Sequence, residues 1–597
     1  MDNITAHFVR LAAAINIPSR IHEPISTTIE GLAAILCCTP RNVKFILRKL
    51  EEQAFIAWLP GRGRGHTSQL TFLRSVEEVL EDSFQELINK GRIKDAIEFI
   101  GNIDVNGALK ERLLTALNKQ MGFRGEAEST SGLDVLRITR NRHMEKLDPA
   151  LVYTAFESYL LGHICSTLVS YDAASRTFLP GLAHMWESNE EHTRYTFYLR
   201  KGVRFHHGRS MTSRDVKETL QRLTDLNSPA LCHYRDIAAV ELEGDHRIRF
   251  ELHRPNLFFL HLFSCIHMSI VPFDVDFAQG AVGTGPYQLT DLNEDVLVLT
   301  AFDYYYGIRP LLDRVEIWYL PELGTNERQY QLPDVDQQNL PSNVCDNNSI
   351  DYPALGCRYL LFNFHNKGVH HHIAFRQVMR ILYNQVALVR ELGGNRITPA
   401  DSLLPWNSSQ RQWTESSFEQ VKELLRVSGY EGESITIAFM AKKEEQEEAG
   451  WLQARGALVG LRIELHPLNE YNQETIQNNA DLLIAEEVLE DDWQWGMINY
   501  FRNESNSLCF LLRDTQRAVL YRELEHFSQL PREERGELLN TAEGVLRDNY
   551  WVLHGCHINK RAQLNQSLFG LHAGSFGFLD ISKLWIKTGL QKDNTTN

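Results

Sequence analysis

An alternation of glycine and arginine, GRGRG at residues 61–65, has the residue types for holding phosphate. Glycines let a backbone come close to an anion, and arginines supply the charge. The segment lacks the lysine and hydroxyl of a GxxxxGK[ST] nucleotide loop. Because Phe55–Leu59 and Gln69–Leu73 have the pattern of strands, we predict a hairpin turn that meets the phosphates or the minor groove of DNA. The candidate DNA contacts in this turn are Arg62, Arg64 and His66. A solvated basic turn is the alternative.

The helix expected just before this hairpin has a basic outer face. Its apolar face, at helical spacing, consists of Val43, Ile46, Leu47 and Leu50. The other positions carry cations and an amide but no acid before Glu51, whereas an ordinary solvated helix mixes both signs. The candidate DNA contacts on this helix are Arg41, Asn42, Lys44, Phe45, Arg48 and Lys49. Phe45 has the chemistry to meet a thymine methyl group. Packing of Phe45 on the wing or an adjacent helix is the alternative.

Other chemistry is weakly indicated. The histidine clusters at residues 206–207 and 370–372 lack cysteine or carboxylates at ligand spacing, so we predict no metal site. No GxSxG or HExxH motif occurs, and no pair of acids stands above the background of 77 acidic residues. We therefore predict neither a catalytic site nor a cofactor.

These basic segments belong to a small basic head on a large acidic body. The net charge of the 597 residues is −16, yet residues 1–74 carry nine Lys and Arg against five Asp and Glu. Such a head can approach a polyanion that repels the body. Nine scattered cysteines without a CxxC pair are typical of a reducing compartment. We see no signal peptide and no transmembrane run, so we predict a cytoplasmic protein that does not contact the membrane.

The elements that would position the head's basic residues follow the order of a winged helix. Residues 4–14 predict a first helix. A capping-box pattern at Thr27 and Glu30 predicts a second helix, and Thr39-Pro40 predicts the start of a third. Two helices joined by a short turn and followed by a hairpin form a winged helix-turn-helix. We assign residues 1–74 to this domain, and residues 75–131 to a helical connector and linker that ends in the polar segment GFRGEAESTSG.

The remaining residues, 132–597, mix strands and helices in the manner of an α/β body. Their number favours two lobes, and we place the first at about 132–320 plus 552–597 and the second at about 321–551.

Several blocks of this body resemble the family 5 extracellular solute-binding proteins. The similar motifs are Leu147-Asp148-Pro149, the PGLA segment at 180–183 followed by Trp186, Phe205-His206-His207-Gly208, and Gly283-Thr284-Gly285-Pro286-Tyr287. The matches run in order across about residues 136–390. The combination of such a body with the head resembles the SgrR-type transcriptional regulators, including the YbaE-like proteins. The resemblance implies a two-lobed, type II periplasmic-binding-protein-like fold.

The resemblance also implies a function. It implies a cytoplasmic regulator that binds promoter DNA and senses a small molecule, with sugar phosphate accumulation as the signal. The implied output is control of a small regulatory RNA and of the regulator's own gene. Ligands of this fold lie between the lobes. The candidate ligand contacts there are Arg142, His143, Asp492, Trp493 and Trp495. Peptide is in doubt as the ligand because the spacing in EDDWQWGMINYF departs from the peptide-binding pattern.

Two other functions stay open at this point. A solute- or peptide-binding component of a transport system would share the body but has no use for a basic head. An intracellular enzyme on the same body would have to turn over its ligand.

Overall fold

The computed structural model describes the chain in segments, and all structural statements refer to these residues. They are residues 3–15, 21–61, 67–102, 107–118, 122–124, 133–140, 143–144, 146–152, 154–277, 280–319, 349–408, 419–469, 471–563, 568–569, 578 and 580–586.

The first unit, the head, is the predicted winged helix. Its elements are α1 (Asn3–Ile15), β1 (Pro24–Thr27), α2 (Ile29–Leu36), α3 (Pro40–Glu52), β2 (Ile56–Leu59) and β3 (Ser68–Phe72). The sheet order is β1-β3-β2, with both pairings antiparallel. Strand β1 is an addition to the predicted elements. It ends at Thr27, so the cap of α2 is Thr28, whose hydroxyl accepts a hydrogen bond from the Gly31 amide.

The turn between α2 and α3 is built by two adjacent caps. Cys37 ends α2 in the left-handed conformation, at φ 50°. Thr39 then caps α3 by accepting a hydrogen bond from the Asn42 amide, and Pro40 occupies the first helical position. The two helices therefore cross within a short turn and pack on α1 around a common core that includes Phe8 and Leu32.

The second unit, the connector, is helical as predicted. It consists of α4 (Val76–Asn89), α5 (Ile93–Asn102) and α6 (Gly107–Asn118). These helices have a core of their own, in which the rings of Phe84 and Phe99 lie 5.9 Å apart. Helix α4 follows β3 almost directly and starts with a complete capping box between Ser75 and Glu78.

The first lobe holds two sheets and a hairpin. Its elements are β4 (Gly122–Arg124), β5 (Val135–Arg140), α7 (Ala155–Ile164), β6 (Val169–Asp172), β7 (Thr177–Pro180), β8 (Ala183–Ser188), β9 (Arg194–Leu199), α8 (Ser213–Asp225), β10 (Ile237–Leu242), β11 (Arg247–Leu252), α9 (Phe259–Leu262), β12 (Tyr287–Leu292), β13 (Val296–Ala301) and β14 (Arg314–Tyr319). The larger sheet, called the first-lobe sheet, has the order β12-β13-β14-β5-β4. The smaller sheet has the order β10-β11-β9-β8 and belongs to the middle segment of the lobe, residues 165–270.

Close backbone packing explains two glycines of the first lobe. A Cβ atom on Gly283 would lie 2.2 Å from the carbonyl oxygen of Ile164, and one on Gly285 would lie 2.4 Å from that of His163. The GTGPY loop is thereby held against the end of α7. His206 fixes the loop further, since its ring bonds to the Gly283 amide and the Gly285 carbonyl.

The second lobe is a mixed sheet flanked by helices. Its elements are β15 (Ser349–Pro353), β16 (Gly356–Phe362), α10 (Ile373–Leu382), α11 (Gln385–Leu392), β17 (Arg396–Pro399), α12 (Pro405–Ser408), α13 (Glu419–Ser428), β18 (Ser434–Met440), α14 (Lys443–Ala457), β19 (Arg462–Leu468), α15 (Gln473–Asn479), β20 (Leu482–Val488), α16 (Trp493–Arg502), α17 (Ser507–Leu511), α18 (Asp514–Glu523), α19 (Arg532–Asp548) and β21 (Val552–Gln563). A short pair, β22 (Leu568–Phe569) and β23 (Trp585–Ile586), follows.

Strand β21 corrects one predicted boundary. We expected residues 552–597 in the first lobe, but β21 lies between β15 and β16 in the second-lobe sheet. The cause is its apolar content, since Val552, Leu553 and Ile558 join the second-lobe core. Farther along, Ile581 and Leu584 pack in the first-lobe core, so the chain returns there later than predicted.

Candidate nucleic-acid interface and ligand cavity

Helix α3 separates its apolar and basic residues as the sequence indicates. The buried side chains are Val43, Ile46, Leu47 and Leu50. The exposed side chains are Arg41, Asn42, Lys44, Phe45 and Arg48, while Lys49 is half-buried. The amphipathic spacing therefore anchors α3 in the head and leaves its basic face in solvent.

Phe45 is 57 % exposed at the centre of this face. The alternative that Phe45 packs on the wing or a neighbouring helix is therefore not what the structure shows. The ring is therefore accessible to a partner on the basic face.

The cations of α3 differ in their availability. Glu52 accepts hydrogen bonds from Arg48 at 3.0 Å and from Lys49 at 2.9 Å, and these bonds lower the pKa of its carboxyl group. Within the described part of the chain, Arg41 and Lys44 form no ion pair. Arg41 and Lys44 therefore carry the least compensated charge on the candidate DNA-binding face.

The wing is described only at its base. Strands β2 and β3 pair from Ile56↔Phe72 to Leu59↔Gln69, and the Gly61 amide donates to Ser68 Oγ at 3.1 Å. Arg62, Arg64 and His66 lie outside the described residues, and their role stays a prediction.

A cavity of about 440 Å³ lies between the first and second lobes. The β6–β7 hairpin forms one wall, and α12 with the N-terminal turns of α16 and α19 forms the other. Its lining residues are Tyr171, Ala173, Arg176, Trp406, Asp491, Trp493, Gln494, Arg532, Glu533 and Gly536. The size and the mixed aromatic and polar lining suit a small polar metabolite.

Charges of both signs line this cavity. Arg176 and Arg532 supply the cations, and Asp491 and Glu533 supply the carboxylates. Among the described residues these four groups form no ion pair with one another. Burial raises the pKa of Asp491, so its negative charge is the less favoured. The N-terminal ends of α16 and α19 add two positive helix dipoles, so the cavity favours an anionic group.

Two indole rings give the cavity an aromatic wall. Trp406 and Trp493 meet edge to face, with ring centroids 5.9 Å apart. Gly536 on α19 makes room for Trp493, since a Cβ atom at this position would lie 3.2 Å from Trp493 Cη2. Flat apolar faces of this kind accommodate the C–H faces of a sugar ring.

The side chain of Gln494, beside the cavity, has a buried oxygen that accepts no hydrogen bond from a described residue. The side chain is only 3 % exposed, and its Nε2 donates to the Arg532 carbonyl at 2.8 Å. That bond fixes the orientation of the amide, and Oε1 is buried with no hydrogen-bond partner among the described residues. A buried acceptor in this state is costly to the folded protein.

Of the four predicted ligand residues that the structure describes, one lies at the cavity. Trp493 lines it. Asp492 is buried behind Trp493 and bonds to Nδ1 of His261. Trp495 lies in the core, where its Nε1 donates to Glu490 at 3.0 Å. His143 is exposed elsewhere, against Tyr319 and the Asn293 carbonyl, and Arg142 lies outside the described residues.

Sequence reasoning missed most of the lining. The missed polar and aromatic residues are Tyr171, Arg176, Trp406, Asp491, Gln494, Arg532 and Glu533. Tyr171 and Arg176 lie in a block that resembles the solute-binding family, and Asp491 and Gln494 flank predicted residues, so the sequence held a signal for these four. Trp406, Arg532 and Glu533 come from segments that only folding brings to the cavity.

The predicted histidine clusters and any metal site or membrane span can be checked only in the described residues. These residues contain no group of three or more His, Cys, Asp or Glu able to hold a metal ion. His370, from one predicted histidine cluster, is buried and bonds to the Asn363 carbonyl at 2.8 Å. Nowhere in the described ranges is a helix both long and apolar enough to cross a bilayer.

Two family models match the chain. Residues 3–124 match the sugar transport-related sRNA regulator N-terminal domain. Residues 177–507 match the middle region of the bacterial extracellular solute-binding proteins, family 5. The resemblance predicted from the sequence motifs is thereby confirmed.

Relatives of two kinds are similar to the whole chain or to a part of it. The uncharacterized protein YhjP of Bacillus subtilis is 28 % identical over 94 % of this chain and 96 % of its own length. The HTH-type transcriptional regulator SgrR of Yersinia enterocolitica is 30 % identical over 57 % of this chain and 58 % of its own length. The chain thus matches about three fifths of that regulator.

Among solved structures, the dipeptide-binding protein of Pseudoalteromonas sp. SM9913, in complex with Met-Leu, has a TM-score of 0.64 and 17 % identity. The match covers 76 % of this chain and all of that protein. At this identity the likeness shows the fold alone, and it confirms the type II periplasmic-binding-protein-like body.

Proposed function

This chain belongs to family 5 of the bacterial extracellular solute-binding proteins through residues 177–507, and we propose that it is a DNA-binding transcriptional regulator whose family 5 body senses a small metabolite. The observation that carries the proposal is the junction of two units. A match to the regulator N-terminal domain at residues 3–124 precedes a body with a cavity between its lobes.

The partner of the head is double-stranded DNA. Helix α3 is the second helix of a helix-turn-helix, and such helices enter the major groove. Arg41, Lys44 and Arg48 would meet phosphates or base edges there, and Phe45 a thymine methyl group. The wing arginines Arg62 and Arg64 would grip the adjacent backbone or minor groove.

The effector is a sugar phosphate, and the cavity chemistry supports this. Arg176, Arg532 and two helix N-termini favour the phosphate. The indole of Trp493 offers a face for the sugar ring. The protein acts in the cytoplasm, where both DNA and phosphorylated sugars occur, and it has no catalytic step.

A thermal-shift experiment on the full chain tests the effector. Glucose 6-phosphate should raise the melting temperature by mass action, whereas glucose, inorganic phosphate and dipeptides should raise it less. Arg532→Gln should reduce the shift. Arg522→Gln, which removes an exposed arginine from α18, is the matched control and should preserve it. A shift with dipeptides alone would sink the sugar phosphate proposal.

The regulator is favoured over a transport component because residues 3–124 match the N-terminal domain of a regulator. DNA binding distinguishes a regulator from a transport component. Failure to bind the promoter region of its own gene at low salt would favour a solute-binding transport component. Mass spectrometry of the incubated ligand distinguishes a sensor from an enzyme, since a sensor returns it unchanged.

A further inference from the structure

The first-lobe sheet has two buried faces of different character. Residues at alternate positions, such as Leu297, Leu299, Val315 and Ile317, point into the first-lobe core. The opposite face carries Val296, Val298, Glu316 and Trp318, which the strand register places side by side. Val298 is only 2 % exposed although it lies outside that core. A second layer must therefore cover this face.

The connector supplies that layer. Trp318 packs against the connector core, which contains Leu80, Phe84 and Ile97. At the neighbouring strand end, Lys94 Nζ of α5 lies 2.6 Å from a carboxylate oxygen of Asp295, and this bond raises the pKa of Lys94. The chain then leaves the connector and adds β4 to the edge of the same sheet, paired with β5. Packing, charge and backbone pairing thus join the connector to one surface.

The other end of the connector is fused to the head. Helix α4 contributes Val79 to the head core and Leu80 to the connector core. The hydroxyl groups of Thr5 on α1 and Ser83 on α4 lie 3.1 Å apart. One helix therefore belongs to both units, which leaves no flexible hinge between them.

From this arrangement we infer that Trp318 and the Lys94–Asp295 pair are positioning residues that hold the DNA-binding head in a fixed orientation on the first lobe. The inference concerns the regulation of the proposed sensor and rests on that function for its meaning. With the head fixed to the first-lobe sheet, a ligand-induced movement of the rest of the body against that sheet moves the second lobe relative to bound DNA. The head itself is not turned. The ligand then changes transcription by changing the position of the second lobe relative to the promoter.

The joint can be tested without ligand or DNA. Hydrogen exchange measured by mass spectrometry reports the opening of α4–α6, and small-angle X-ray scattering of the full chain reports its maximum dimension. Trp318→Ala should raise exchange in α5 and α6 several-fold and increase the maximum dimension. Trp318→Phe, which keeps an aromatic ring, should remain close to the parent protein. Unchanged exchange and scattering in Trp318→Ala would overturn the inference.

Charge reversal separates positioning from folding of the lobe. Lys94→Glu should raise exchange in α5, and adding Asp295→Lys should restore protection by re-forming the pair in the opposite sense. Absence of rescue would show that the pair does not position the connector.

Helix α7, on the opposite face of the sheet, is the internal control for Trp318→Ala. An equal rise of exchange in α7 would show that Trp318 stabilises the first lobe as a whole and does not position the connector.

A functional arm distinguishes this inference from the proposed function. With glucose 6-phosphate as the probe, Trp318→Ala should keep the ligand-induced thermal shift and the DNA affinity but lose the effect of ligand on transcription. If the parent protein shows no ligand response, the proposed function fails. Exchange and scattering then still test whether Trp318 and the Lys94–Asp295 pair hold the connector on the first lobe.

Discussion

At the scale of single residues, the basic side chains of α3 differ in whether an acidic partner already neutralises them. Glu52 holds Arg48 and Lys49 at hydrogen-bonding distance, whereas the described ion pairs leave Arg41 and Lys44 out. Binding to phosphate costs Arg48 and Lys49 an existing partner. Arg41 and Lys44 give up only water.

Removal of the two uncompensated cations should therefore weaken DNA binding most. We expect Arg41→Ala with Lys44→Ala to lower affinity for all sequences and to reduce the salt slope by about 0.9 for each DNA phosphate that these side chains neutralise. Fluorescence anisotropy over a salt series measures both quantities. Arg10→Ala, on the exposed side of α1, is the single-charge control. An equal loss of affinity in the control would assign the effect to the head's overall charge.

Buried histidines give the protein an acid-sensitive interior. Burial lowers the pKa of His163, His206 and His267 to about 4 and that of His233 to about 3. The folded state therefore holds these rings neutral at a pH where the unfolded chain, with a pKa near 6.5, has bound protons.

The free energy of unfolding should consequently fall as pH decreases from 6.5 towards 4. Each such histidine contributes a loss of roughly 1.4 kcal/mol per pH unit in that window, and the contribution is fully present above pH 6.5. Urea denaturation at pH 7.5, 6 and 5 measures the trend. A flat profile between pH 6.5 and 5 would contradict it.

At the scale of elements, we expect the wing and α3 to act on DNA as a pair. The β2–β3 register fixes the base of the hairpin on the head. An element with that geometry adds contacts beside the groove that the helix enters.

Loss of the wing arginines should weaken DNA binding without touching ligand binding. Arg62→Ala with Arg64→Ala should lower DNA affinity and flatten its salt dependence, while the thermal shift with ligand stays the same. Arg426→Ala with Arg522→Ala removes the same charge from the second lobe and serves as control. Unaltered DNA affinity in the wing variant would make the loop a solvated turn.

Sequence reasoning succeeded where a pattern is local. The stripe of Val43, Ile46 and Leu47 and the caps at Thr39 and Ser75 determine helices within one or two turns. It failed where partners are distant. Strand β21 pairs with β16 across the second lobe, and Trp493 and Arg532 meet the β6–β7 hairpin only after the lobes assemble. Trp493 reached the cavity while Asp492 and Trp495 turned inward, because successive helix positions face different directions.

At the scale of the whole molecule, the lobes are joined by more than a hinge. The middle segment of the first lobe shares a continuous core with the second lobe. Phe258 stacks near Trp495 and meets the guanidinium of Arg535 at 4.9 Å, while His261 bonds to Asp492. Burial lowers the pKa of His261, against the opposing effect of Asp492.

Removing one partner of this interlobe pair should be costly. Asp492→Ala should lower the free energy of unfolding by about 1–3 kcal/mol, because it leaves a nitrogen of the buried, neutral His261 ring without its hydrogen-bond partner. Asp491→Ala, at the neighbouring position on the cavity wall, removes a carboxylate that forms no ion pair among the described residues and should change it by less than about 1 kcal/mol. Denaturation of both variants measures the difference. Equal effects would show that the pair contributes nothing specific to the interface.

The order of the strands also has a consequence for synthesis on the ribosome. Arg137 on β5 meets Glu316 on β14 across 179 residues, and the hydroxyl of Tyr287 donates to the carbonyl of Ile581 across 294. The head, in contrast, closes its own core within the first 80 residues. A nascent chain can therefore present a folded head long before its solute-binding body is complete. If the protein is the proposed regulator, truncated or stalled products would occupy promoters without any response to ligand, and their rapid degradation would be needed to keep the promoters responsive.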